Sequence, residues 1–170
     1  IEGDARDALL TFKDESFGFI VTSPPYWSML NKIDHKAQRE RSSKGLATRY
    51  SDHESDFSNI PDYQTFLDAL RIVFAECERV LQINRYIAVV VSDFRDKAKF
   101  HLFHADMADV LDDVGLQLAG VTILVQDSKA LYPYGMPHAF VSNIHHQYVV
   151  IAKKPRSGPS SSERGEHEIS

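Results

Sequence analysis

Phe17 to Val21 is a continuous apolar run, and it leads straight into Thr22-Ser23-Pro24-Pro25-Tyr26-Trp27. No other stretch of the chain limits its fold as much. Proline holds φ near about −65° and has no N–H, so two in succession can neither extend a sheet ladder nor enter a helix interior. A buried strand must therefore stop at Thr22, and the backbone must leave the sheet as a stiff turn. The carbonyls of Ser23 and Pro24 are then unpaired and aimed, with the Tyr26 ring beside them. Such an arrangement suits a planar substrate with an amino group, whose N–H bonds the carbonyls accept while the ring stacks on its face. The position agrees, because open α/β sheets bind ligands beyond the carboxyl ends of their strands. A turn pinned by an aromatic ring is the plainer reading of a bare Pro-Pro-Tyr. The strand before it and the serine at its head favour a site.

The remaining elements follow from periodicity. Phe17 to Thr22 reads as a strand. Phe66, Leu67, Leu70, Val73, Phe74, Cys77, Val80 and Leu81 recur at helical spacing, predicting a helix opened by Asp62 and running to about Leu81. Tyr86 to Val91 reads as a fully buried parallel strand. Phe103 to Val114 is a second amphipathic helix stopped at Gly115. Leu118 to Val125 and Tyr148 to Ala152 supply two more strands. Strand, helix, strand, helix, strand is the pattern of an α/β doubly wound sheet with right-handed crossovers. Residues 28–58 are polar and too long for a simple connection, so they read as a functional or mobile loop. Residues 1–155 form the folded part, and 156–170 read as a disordered polar tail.

Composition sets the class. A chain of 170 residues with 43% hydrophobic content can build one core. Its one cysteine, Cys77, lies in the helical stripe and cannot form an internal disulfide. No apolar stretch approaches the ~20 residues that cross a bilayer, and no signal peptide is visible, so a cytoplasmic setting without membrane is expected. The net charge of −5 argues against a wholly basic nucleic-acid platform. Charge is uneven, however: Lys32, Lys36, Arg39, Arg41, Lys44 and Arg49 cluster just after the proline turn. They either clamp a phosphate backbone or form a solvated loop.

Other clusters carry less. Asp93 follows the second core strand and either borders a pocket or starts a turn through its own backbone. His101, His104, His138, His145 and His146 lack the matching cysteines or carboxylates of a metal site, so none is assigned. Tyr132 to His138 is a rigid aromatic loop suited either to stacking on nucleotides or to packing.

Ser23-Pro24-Pro25-Tyr26 after an apolar strand resembles the catalytic motif of the S-adenosylmethionine-dependent amino-methyltransferases of DNA. Serine at its head is similar to the cytosine-N4 branch; Asp or Asn is more usual in the adenine-N6 branch. Gly3 to Leu9 resembles the segment that contacts the cofactor's adenine through an acidic residue, here Asp4. His145 to Lys154 resembles the late strand of that domain. The resemblance implies a Rossmann-like sheet, S-adenosylmethionine as cofactor and DNA with one base flipped out as substrate. It leaves a restriction endonuclease as an open partner. Ser23, Pro24, Pro25 and Tyr26 become the expected catalytic residues and Asp4 the cofactor contact. Trp27, Lys36, Arg39 and Arg41 become the expected substrate contacts, with Trp27 either a second wall for the base or a packing residue.

One part of the pattern is missing. The family cradles the cofactor's methionine end in a Phe-x-Gly-x-Gly loop, where glycines allow close backbone approach. The eight glycines here are scattered singly. The expectation is a piece of a longer protein, with the glycine loop upstream of Ile1, that by itself binds the cofactor weakly or not at all. A binding module that kept the base pocket and lost the cofactor loop is the alternative from a different class. Adenine N6, RNA guanine and protein amides are alternative acceptors.

Overall fold

The structure, a computed structural model, describes residues 3–27, 57–96, 99–126 and 144–156. The chain begins with a short helix α1 (Ala5–Leu10), followed by strand β1 (Phe17–Thr22). After a 3-10 turn at Phe57–Asn59 come helix α2 (Tyr63–Val80) and strand β2 (Leu81–Val91). A small hairpin, β3 (Phe94–Asp96) and β4 (Lys99–His101), precedes helix α3 (Phe103–Asp113). Strands β5 (Gln117–Val125) and β6 (His146–Lys153) complete the described elements.

Helix α2 forms where its sequence directs. Asp62 caps it, its carboxylate accepting from the Thr65 amide at 2.8 Å and the Thr65 hydroxyl at 2.9 Å. Phe66, Leu67, Leu70, Phe74, Cys77 and Val80 make one buried face. At the other end the Lys154 ammonium donates to the Glu78 carbonyl at 2.8 Å, placing a cation against the helix terminus. The Arg79 guanidinium ties α1 to α2 by donating to the carbonyls of Leu9 and Phe12. Helix α3 ends at Asp113, and the chain turns away at Gly115, whose φ of +89° a residue with a side chain adopts only at a cost.

The main sheet runs β1-β2-β6-β5. Strands β1 and β2 are parallel, as a helical crossover requires, and Thr22 lies opposite Val89. Strand β6 is antiparallel to both β2 and β5, so the sheet is mixed, and the expected parallel progression stops at β2. The register places Ile87, Val89 and Val91 beside Ala152, Val150 and Tyr148 on the face that α2 and α3 cover. Phe66, Phe74, Phe103, Met107 and Leu111 fill the space between. On the other face Phe19, Val21 and Tyr86 are exposed.

Each predicted strand and helix has its counterpart, with β2 reaching back to Leu81. Helix α1, the 3-10 turn and the β3–β4 hairpin carried no periodic signal, being too short for one. The expected loop at 28–58, but for its last two residues, and the tail, but for Arg156, lie outside the described residues. So do Lys36, Arg39, Arg41 and the aromatic loop at Tyr132 to His138.

Candidate active site

The carboxyl ends of β1 and β2 lie side by side, and antiparallel β6 brings its amino end to the same rim. There the Ser23 hydroxyl donates to the Val90 carbonyl at 2.9 Å. The bond holds the outgoing turn against β2 and replaces the ladder contact that Pro24 cannot make. Among the described residues no backbone amide donates to the Ser23 or Pro24 carbonyl. Pro24 is buried and Pro25 half-buried.

Tyr26 is held from two sides. The Gln147 amide donates to its hydroxyl at 3.0 Å, and Phe103 meets its ring edge-on at 6.5 Å. A ring fixed in this way has lost its rotational freedom before any ligand arrives, which lowers the cost of stacking.

Trp27 packs beneath the turn. It is 8% exposed, and its indole N–H donates to the Ile60 carbonyl at 2.7 Å. Tyr63, His101 and Phe94 surround it with ring centroids at 5.1, 5.7 and 6.2 Å. Of the two roles expected for Trp27, this geometry supports packing. The Tyr63 hydroxyl donates to Asp106, and burial, more than that carboxylate, pushes its pKa far above the usual phenol range. The polar atoms of Trp27 and Tyr63 in this aromatic floor are both satisfied.

Asp93, two residues past the end of β2, is almost fully buried. Its Oδ1 accepts from the His104 backbone amide at 3.2 Å and sits 2.7 Å from His104 Nδ1. Residue Leu102, at the start of α3, offers no side-chain cap, so Asp93 supplies one from another element. The His104 ring lies flat on Tyr148 at 3.8 Å, and His146 Nε2 lies 2.9 Å from the Tyr148 hydroxyl. Burial, and then the Asp93 charge, raise the Tyr148 pKa. The expected self-turn at Asp93 gives way to this cap across elements. His101 lies on β4, stacked on Phe94. His138 lies outside the described residues.

Asp4 caps α1 through the Arg6 amide at 2.9 Å, and its carboxylate is paired with the Arg6 guanidinium. Arg6 covers the Phe57 ring at 5.0 Å, and Phe57 opens the turn that leads to Ile60 and so to Trp27. Asp4 is thus joined to the floor of the proline turn through three contacts. An acceptor-only carboxylate, a quarter exposed and held in place by its own helix, fits an adenine amino group. Among the described glycines none forms a turn between a strand and a helix that could cradle a sulfonium-bearing chain. Among the described residues, then, the Asp4 carboxylate is an acceptor that fits the adenine edge of S-adenosylmethionine, and no glycine turn fits its methionine end.

The sequence singled out the turn and missed Gln147, which holds Tyr26, as well as the pairing of His104 with Asp93 and its stack on Tyr148. The rule that sites gather at strand ends, applied to the amino end of β6, would have pointed to Gln147 and Tyr148.

No protein-family model and no curated protein matches the chain. Solved structures do. One is a protein of Thermus thermophilus assigned as a DNA modification methylase, 24% identical, over 99% of this chain and 58% of that one, with a TM-score of 0.61. The same protein complexed with S-adenosyl-L-methionine matches over 95% and 57%, with 24% identity and a TM-score of 0.62. The cytosine-N4-specific PvuII DNA methyltransferase matches over 91% and 49%, with 17% identity and a TM-score of 0.61. The chain spans less than two thirds of the length of these structures. Its fold is theirs: a mixed, Rossmann-like methyltransferase sheet, present in part.

Proposed function

We propose that this chain is the acceptor-binding part of a methyltransferase that moves a methyl group from S-adenosylmethionine to an exocyclic amino nitrogen of a base in DNA, cytosine N4. The observation that carries this reading is the proline turn: two carbonyls that accept from no backbone amide among the described residues, at the rim of a methyltransferase sheet, beside a tyrosine ring that Gln147 and Phe103 hold in place. The fold it shares with DNA methyltransferases supports the reaction class, and the serine at the head of the motif supports cytosine.

The chemistry follows from the acceptor. An exocyclic amino nitrogen is a poor nucleophile because its lone pair is delocalised into the ring. The Ser23 and Pro24 carbonyls accept its two N–H bonds and draw the nitrogen toward a tetrahedral shape, freeing the lone pair. Tyr26 stacks on the base after it leaves the duplex. Ser23 acts through its carbonyl; its hydroxyl gives its hydrogen to the Val90 carbonyl and keeps only acceptor capacity toward the site. Pro24 and Pro25 fix the angle. Asp4 holds the adenine edge of the cofactor, which supplies an electrophilic methyl group when bound. Orientation of this kind contributes much of the acceleration, with no covalent enzyme intermediate. Lys36, Arg39 and Arg41 are proposed to meet the phosphate backbone.

Transfer of a tritiated methyl group to duplex DNA by the native protein, followed by nucleoside analysis, tests the reading. N4-methyldeoxycytidine is expected, and it disappears in Tyr26→Ala and Pro24→Ala variants that keep their fold. Full activity in both variants overturns it.

A further inference from the structure

The proposed transfer leaves one piece of chemistry unassigned. When the N–CH3 bond forms and the donor's S–CH3 bond breaks, the sulfonium becomes a neutral thioether and the nitrogen carries a positive charge. That nitrogen must give up a proton. The Ser23 and Pro24 carbonyls hold the N–H bonds but are far too weakly basic to keep the proton.

We propose that His104 accepts this proton, oriented by Asp93 and by the stack on Tyr148; the inference rests on the functional reading above. Asp93 Oδ1 lies 2.7 Å from His104 Nδ1, and an ionised carboxylate can only accept. The neutral imidazole therefore carries its hydrogen on Nδ1, and Nε2 presents a lone pair. The ring is stacked at 3.8 Å and 15° on Tyr148, so it cannot turn to exchange its nitrogens without losing that contact. Its side chain is 23% exposed, against 4% for Asp93, so the outer edge of the ring reaches solvent while the orienting carboxylate does not. A base oriented by a buried carboxylate is a recurring design for proton transfer.

His104 and Tyr148 lie on the two elements that hold Tyr26. Phe103, one residue before His104, meets the Tyr26 ring edge-on. Gln147, one residue before Tyr148, binds the Tyr26 hydroxyl. The same two elements that hold the stacking ring thus hold the base. Capping of α3 accounts for the bond from Asp93 to the His104 amide, but it does not account for the second bond to the ring. After transfer Nε2 holds the proton, the imidazolium is paired with Asp93, and the exposed edge returns the proton to solvent.

Two measurements decide it. In the long-range proton–nitrogen NMR spectrum of the chain at neutral pH, His104 is expected as the Nδ1–H tautomer; the Nε2–H tautomer overturns the proposal. In the native protein, His104→Phe keeps a flat ring on Tyr148 and removes the base. Its methyl-transfer kcat is expected to fall about 10²-fold or more with the KM for DNA little changed. His104→Ala is expected to recover activity on addition of imidazole. Wild-type rates in His104→Phe, alongside loss of transfer in Tyr26→Ala, overturn this inference alone. Full activity in Tyr26→Ala overturns the functional reading and this inference with it.

Discussion

Gln147 donates its side-chain amide to the Tyr26 hydroxyl across 121 positions of sequence, at 3.0 Å. The bond joins the amino end of β6 to the proline turn after β1, two segments with β2 between their strands. Its effect is to fix the orientation of the Tyr26 ring. A tyrosine on an open turn would otherwise sample several rotamers, and binding would have to select one.

Gln147→Leu keeps the shape of the side chain and removes the donor. One neutral hydrogen bond contributes about 1 kcal/mol, so kcat/KM for DNA is expected to fall roughly fivefold. Tyr26→Phe should give a loss of the same size, and the double variant little more than either alone. A double-mutant cycle on steady-state kinetics measures the coupling; fully additive losses would show that the bond does not govern the site.

Trp27 is expected to behave as a core residue. Trp27→Ala should cost about 3–5 kcal/mol of folding stability in urea denaturation, because it empties the aromatic floor. Trp27→Phe should cost less, chiefly the bond to the Ile60 carbonyl. A Trp27→Ala protein of wild-type stability would place the indole on the substrate side.

Cys77 should be chemically silent in the native state. Burial pushes its thiol up to about 11, so little thiolate exists near neutrality. Ellman's reagent at about pH 8, close to the ordinary thiol pKa, is expected to leave it unmodified until denaturant is added. Rapid reaction in buffer would mean that α2 opens locally.

Asp62 gives a pH dependence of defined sign. The Thr65 amide, then the Thr65 hydroxyl, hold its folded-state pKa below the ordinary value of 3.8. A depressed carboxylate pKa contributes stability above the unfolded value, and that contribution is lost as pH falls through the folded one. Asp62→Asn should therefore show a flatter stability curve than wild type below about pH 4. Chemical denaturation across the acid range reads the difference; parallel curves would remove the cap from the account.

Local rules settled much of this protein from sequence alone. Two prolines end β1 at Thr22 because neither can donate to a ladder, and the structure ends it there. The stripe from Phe66 to Val80, the cap at Asp62 and the stop at Gly115 are likewise properties of neighbouring residues, since helical periodicity and capping span only a few positions. The motif at Ser23 to Tyr26 was legible for the same reason: its stiffness is covalent.

Tertiary structure decided what depends on contacts between distant segments. Nothing near Asp93 in sequence announces that it caps α3 and orients His104, because the acceptor and its donors lie 11 residues apart on different elements. Nothing near Trp27 says that its N–H finds Ile60, 33 positions away, and so turns it into the floor. The antiparallel insertion of β6 brings Gln147 and Tyr148 to the rim. Strand order is chosen by which apolar faces bury together, a sum over the whole sheet that no local window contains.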